Sequence, residues 1–163
     1  MTVIAREWAI FFTIKNLIMI NIETKNKVIK IIESLGYHFV DLKVSRSKNE
    51  IIFEILVDSD SGITITECQK ISKELSIYFD SLEYNNYRLN VSSPGIGYPI
   101  LYDWQFKKSI SRVVEVKYKS NDKLVKSKGE LIDFNSDSII IKIDKGEQIT
   151  IKRGDIQIVR EII

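Results

Sequence analysis

Residue types that do covalent chemistry or bind metal are scarce in this chain of 163 residues, which has one histidine, His38, and one cysteine, Cys68. A single cysteine excludes an intrachain disulfide and any multi-cysteine zinc site. With one histidine, a protein-only metal site would be built almost wholly from carboxylates. Asp58 and Asp60, joined by Asp41 or Asp80, are the candidates. Their plainer reading is a solvated loop, because Asp and Ser in "DSDSG" (58–62) are turn formers. Cys68 falls on the apolar stripe of a predicted helix, where cysteine packs as a small hydrophobe. His38 has no evident triad partner. The window "NVSSPGIGYP" (90–99) holds both prolines and invites a phosphate-loop reading. Such a loop leads from a strand into a helix N-terminus and ends on Lys or Ser/Thr. Here Pro99 interrupts the passage, no G-K-[ST] follows, and strands soon resume. No catalytic residue, cofactor or metal is expected.

The basic residues are more informative in their distribution than in their sum. Net charge is +2, too small to announce a nucleic-acid partner. Residues 1–95 carry eleven Lys/Arg and twelve Asp/Glu, whereas residues 96–163 carry thirteen and ten. Lys107, Lys108, Arg112, Lys117, Lys119, Lys123, Lys126 and Lys128 stand against only Glu115 and Asp122, a local +6. That concentration suits phosphates or an acidic protein surface. The competing reading is a solvated lysine-rich face. Trp104, Phe106 and Tyr118 read as core rather than as base-stacking platforms, so sequence-specific RNA reading is not expected.

Two unlike halves must position these residues. Val28, Ile31, Ile32 and Leu35 recur at helical spacing over 23–35, with Thr24 as the predicted cap and Gly36 at the left-handed stop. "YHFVDLKVS" (37–45) alternates, with Phe39 and Asp41 opposed to Val40 and Leu42. It pairs with "EIIFEILVD" (50–58) as a predicted hairpin. "TITE" (64–67) is a capping box opening a helix to Asp80, with Ile65, Cys68, Ser72, Leu75 and Phe79 on one stripe. "YRLNVS" (87–92) is a third strand. Two helices over a three-stranded sheet make an α+β domain. Past the Pro/Gly window, a helical turn at 102–110 precedes five predicted strands at 112–118, 128–134, 138–143, 147–152 and 156–160. Five short antiparallel strands favour a small closed barrel, because closure removes exposed edges. Pro94 and Pro99 fit no central strand, and Gly95 and Gly97 permit sharp redirection, so the window reads as a boundary.

The predicted division is therefore an N-terminal extension (1–18), an α+β domain (19–93), a hinge linker (94–100) and a β-barrel domain (101–163). "WAIFFTIKNLIMI" (8–20) is apolar but too short to span a bilayer, and Lys15 and Asn16 interrupt it. It is expected to lie outside the folded domain, with Met19 as the natural start. No membrane partner is expected.

Two stretches carry a family resemblance. "ILVDSDSGITITECQKISKELSIYFD" (55–80) has Asp58, Gly62, Ile63, Glu67, Cys68, Ser72 and Asp80 at the places of a known pattern. "YRLNVSSPG" (87–95) ends a strand in Ser92, Ser93, Pro94 and Gly95. In both, and in the order of its pieces from about residue 20 onward, the chain resembles the ribosome maturation factor RimP family. It departs where the family follows S-S-P-G with a Leu-Asp-Arg-Pro-Leu type sequence, since Gly97 and Tyr98 replace the Asp-Arg pair. The resemblance implies an Sm-like (SH3-type) C-terminal barrel and a non-enzymatic, cytoplasmic, monomeric factor. Its implied partner is the immature 30S subunit, through 16S rRNA and a small-subunit ribosomal protein near the decoding centre. The alternative is a general RNA-binding Sm-like module acting outside the ribosome.

Overall fold

The computed structural model describes residues 21–163, and the chain divides into two compact units between Pro94 and Gly95. The expectation for residues 1–18 lies outside the described residues. The first unit runs α1 (Ile22–Ser34), β1 (His38–Ser47), β2 (Glu50–Asp58), α2 (Ile65–Asp80) and β3 (Tyr87–Ser92). The sheet is mixed, because β2 pairs antiparallel with β1 and parallel with β3. Parallel pairing requires a crossover between β2 and β3, and α2 supplies it.

Local chemistry sets the ends of these elements. Asn21, not Thr24, caps α1, its Oδ1 accepting the Glu23 N–H at 3.1 Å, while Thr24 is buried in the first turn. Gly36 ends that helix at φ +83°, and the Tyr37 and Gly36 N–H groups donate to the Ile32 and Glu33 carbonyls. Those paired bonds satisfy carbonyls that the helix end would otherwise leave open. The capping box of α2 forms as expected: the Thr64 N–H donates to Glu67 at 2.7 Å, and the Glu67 N–H donates back to Thr64 Oγ1 at 3.3 Å.

Phe53, Ile55 and Val57 alternate along β2 and face Val28 and Ile32 of α1 with Ile71, Leu75 and Phe79 of α2. Both helices therefore cover one face of the sheet. Ile65, predicted on the buried stripe, is 81% exposed; the stripe begins a turn later, with half-buried Cys68. A bulge at Val40 breaks the alternation expected of β1. The extra residue shifts the phase, so Phe39 packs against the same core as Leu42 and Val44.

The second unit contains α3 (Asp103–Lys108), β4 (Val113–Ser120), β5 (Lys123–Phe134), β6 (Ser138–Lys142), β7 (Gln148–Lys152) and β8 (Ile156–Glu161). Its five strands form one antiparallel sheet in the order β7-β6-β5-β4-β8. The ladder ends on β7 and β8, so the hydrogen-bonded closure of a barrel is not among its pairings. Thr150–Lys152 of β7 and Tyr118–Asp122 nevertheless line one hollow of about 490 Å3. Val114, Val116, Leu131, Ile139, Ile141, Ile151 and Val159 make an aliphatic core with Phe106 of α3. Trp104, expected to anchor that core, is only half-buried and stacks on Tyr102 with the rings 8° from parallel.

Strand β5 starts five residues earlier than the periodicity suggests. Asn121 and Asp122 both adopt left-handed backbone, φ 49° and 59°, which closes a two-residue hairpin between Ser120 and Lys123. Such turns match the twist of the strands they join, and Asn and Asp tolerate that conformation best among residues with a side chain. The start of the second unit is also fastened: Pro99 bridges to Arg160, and the Ile100 N–H donates to the Val159 carbonyl at 2.8 Å.

Candidate nucleic-acid interface

The register of β4 with its two neighbours decides where the basic residues fall. Successive strand residues face opposite sides, and directly paired residues face the same side. Val114 and Val116 point into the core, so Glu115, Lys117 and Lys119 point outward. Their partners on β5 are Lys128, Lys126 and Leu124, and Arg160 and Ile158 on β8 complete the face. Lys117, Lys119, Lys126 and Lys128 therefore share one side of the sheet. The hairpin turn separates Lys123 from them, because it pairs with Ser120 at the opposite parity. Lys107 and Lys108 lie on α3, and Arg112 precedes β4. The eight residues are not one contiguous patch.

Glu115 organises this face. Its side chain is 4% exposed and is held by Lys126 Nζ at 2.6 Å and by the Arg160 guanidinium at 2.7 and 3.1 Å. The Lys126 bond, with the Arg160 bonds and the two positive charges, lowers the Glu115 carboxyl to about 2, overcoming burial, which acts the other way. Lys126 and Arg160 are thus committed to a buried acid. Arg112 is likewise paired, with Glu161 at 2.8 Å. Lys117, Lys119 and Lys128 take part in no ion pair among the described residues, and Lys119 and Lys128 are exposed. These three carry the outward charge of the face. Arg160, forty-five residues from Glu115 in sequence, was not among the predicted residues, and only the β4–β8 register brings it there.

In the first unit, the pattern residues build structure. Asp58 ends β2, is buried, and accepts the Ser59 N–H at 2.9 Å. Gly62 turns the chain at φ +91° and donates to the Ser59 carbonyl at 3.1 Å. Cys68 is half-buried, and burial, followed by the charges of Glu67 and Asp58, pushes its thiol pKa up. That disfavours the thiolate a nucleophile needs. Asp80, at the end of α2, accepts the Tyr87 hydroxyl of β3. Burial and that bond raise the Tyr87 phenol to about 12. Ser92 ends β3, and Ser93, Pro94 and Gly95 carry the chain to the unit boundary. His38 Nε2 lies 2.9 Å from Asp60 on the surface. Among the described residues, no three His, Cys, Asp or Glu are grouped to hold a metal ion, and no helix is long and apolar enough to cross a membrane.

The first unit is thus a helix-covered mixed sheet whose signature residues fix turns, a helix end and a strand contact. Residues 27–97 match the RimP N-terminal domain, consistent with the RimP family.

Proposed function

We propose that this protein is a non-enzymatic, cytoplasmic, monomeric factor that binds the immature small (30S) ribosomal subunit and assists its assembly. We read the second unit, a short helix followed by five antiparallel strands, as a small Sm-like (SH3-type) barrel. Together the units dock on 16S rRNA and on a small-subunit ribosomal protein near the decoding centre. The observation that carries this reading is the match over residues 27–97, which contains Asp58, Gly62, Cys68, Asp80 and the whole of Ser92–Gly95. The outward lysines of β4 and β5 are the proposed rRNA contact, with Lys107, Lys108 and Lys123 extending it at the sides. Run 94–100 is the joint between domains 19–93 and 101–163, with Gly97, at φ +87°, inside the turn that the Tyr98 N–H closes onto the Gly95 carbonyl.

Tagged protein should co-sediment with small-subunit precursors. Enrichment of intact ribosomes only, or of no particle, overturns the reading. Lys117→Glu, Lys119→Glu and Lys123→Glu together should weaken particle binding at unchanged thermal stability; undiminished binding at physiological salt makes these lysines merely solvating. A general RNA-binding module acting outside the ribosome is the second reading, favoured by the outward lysine face, since phosphate contacts carry no sequence information. It predicts steeply salt-dependent binding to arbitrary RNA without preference for small-subunit particles.

A further inference from the structure

At one end of the first sheet, the β1–β2 turn and the loop leading into β3 enclose a hollow of about 600 Å3. Its position follows from two local features. Lys48 takes the left-handed backbone that closes the β1–β2 turn, and the Ile51 N–H donates to the Asn86 carbonyl at 3.1 Å, pinning the loop to the sheet. Tyr84 forms part of the wall, and its ring packs 5.3 Å from Phe53 and 6.2 Å from Phe79, so that wall is continuous with the core.

The polar lining is unusual in being uncommitted. Arg46 and Lys48 face the hollow and are in no ion pair among the described residues, against one lining acid, Glu83. Asn49, Asn85 and Asn86 also line it, and their carboxamides make no hydrogen bond within the protein among the described residues. Each amide offers two N–H donors and a carbonyl acceptor. Three of them converge on one concavity beside two free cations.

We propose that this hollow binds one or two unstacked nucleotides of a single-stranded RNA segment, with phosphate on Arg46 and Lys48 and the base edge on the asparagines. The inference rests on RNA being a partner, as in the proposed function. A planar amide matches the donor–acceptor edge of adenine in a bidentate pair. Unpaired RNA presents such edges, because its bases splay out of the stack. The lysine face of the second unit has no such group. The two surfaces therefore differ in kind: the hollow selects bases, and the lysines hold backbone.

The test uses the full-length protein and fluorescent hexa-adenylate, hexacytidylate and hexauridylate. Wild-type protein should bind hexa-adenylate about fivefold or more tightly than the others. Asn85→Ala with Asn86→Ala should level the three affinities, and Asn49→Ala, on the opposite wall, should reduce the preference without touching the loop. Arg46→Glu with Lys48→Glu should weaken all three ligands, and Lys117→Glu with Lys119→Glu should also weaken them while keeping their ranking. Equal wild-type affinities overturn the proposal, as does a ranking that survives both asparagine variants or one lost only with the lysines. No ribosomal particle enters the measurement, so a negative result here is distinct from failure of co-sedimentation.

Discussion

The two units solve the packing problem with different materials. The first is built around aromatic rings: Phe79 lies 4.6 Å from Phe53 and 5.7 Å from Tyr87, with Tyr84 against both phenylalanines. The second packs Val, Ile and Leu between strands and uses one buried acid to organise its outer charged face. Most of the family pattern falls in the first unit, where hydrogen bonds consume its polar groups. The outward charge falls in the second, where three lysines are left over. The family signature reports how the first domain is held, whereas contact capacity is written in residues outside it.

Substitutions can break this contrast at three strengths. The largest effect is expected from Phe79→Ala, which empties the centre of the aromatic cluster and should cost about 3–5 kcal/mol. Calorimetry should show the loss in the transition of the first unit, and an equal loss in the second would mean the cores are not independent. The second effect is an acid dependence. The Glu115 carboxyl is depressed in the folded state to about 2. The stability it contributes is therefore fully present above the ordinary carboxylate range and is lost as pH falls through that range towards 2. Glu115→Gln should flatten the acid unfolding curve of the second unit in that window and leave the first unit unchanged. The smallest effect separates two lysines. Lys126→Ala removes a partner of the buried acid and should cost about 1 kcal/mol. Lys119→Ala should leave the melting temperature unmoved and weaken RNA binding. Equal melting behaviour of the two would mean the Lys126 ion pair contributes nothing.

Much of the first unit was legible because its signals are local. The capping box at Thr64 and Glu67, the glycine stop at Gly36 and the β1–β2 hairpin each lie within a few residues of their cause. The alternation of β1 misled at Val40, since a bulge is decided by the partner strand rather than by the strand itself. Parallel pairing of β3 is likewise a tertiary choice with no local mark. In the second unit, the charge of residues 107–128 could be read but its partition could not. A two-residue turn at Asn121 and Asp122 fixes the register, and register alone puts Lys126 beside Glu115 and Lys123 on the other side. Predicted strands ending at 118 and resuming at 128 hid that outcome. The hollow beneath the β1–β2 turn was invisible because Arg46, Lys48 and Asn49 meet Asn85 and Asn86 only after the sheet has formed.

Gly129 has a consequence for how this protein can change over time. A Cβ there would sit 2.5 Å from the Lys142 carbonyl oxygen, so β5 and β6 approach too closely at that point for any side chain. Residues of β5 before it pair with β4 alone, and from Glu130 onward the strand pairs with β6, with Leu131 and Phe134 packing in the core. The glycine therefore separates a rewritable stretch of the strand from a fixed one. A lineage can gain or lose lysines at positions 123 and 128 and retune its grip on a partner, while Lys126 stays on its buried acid and the core residues are inherited unchanged.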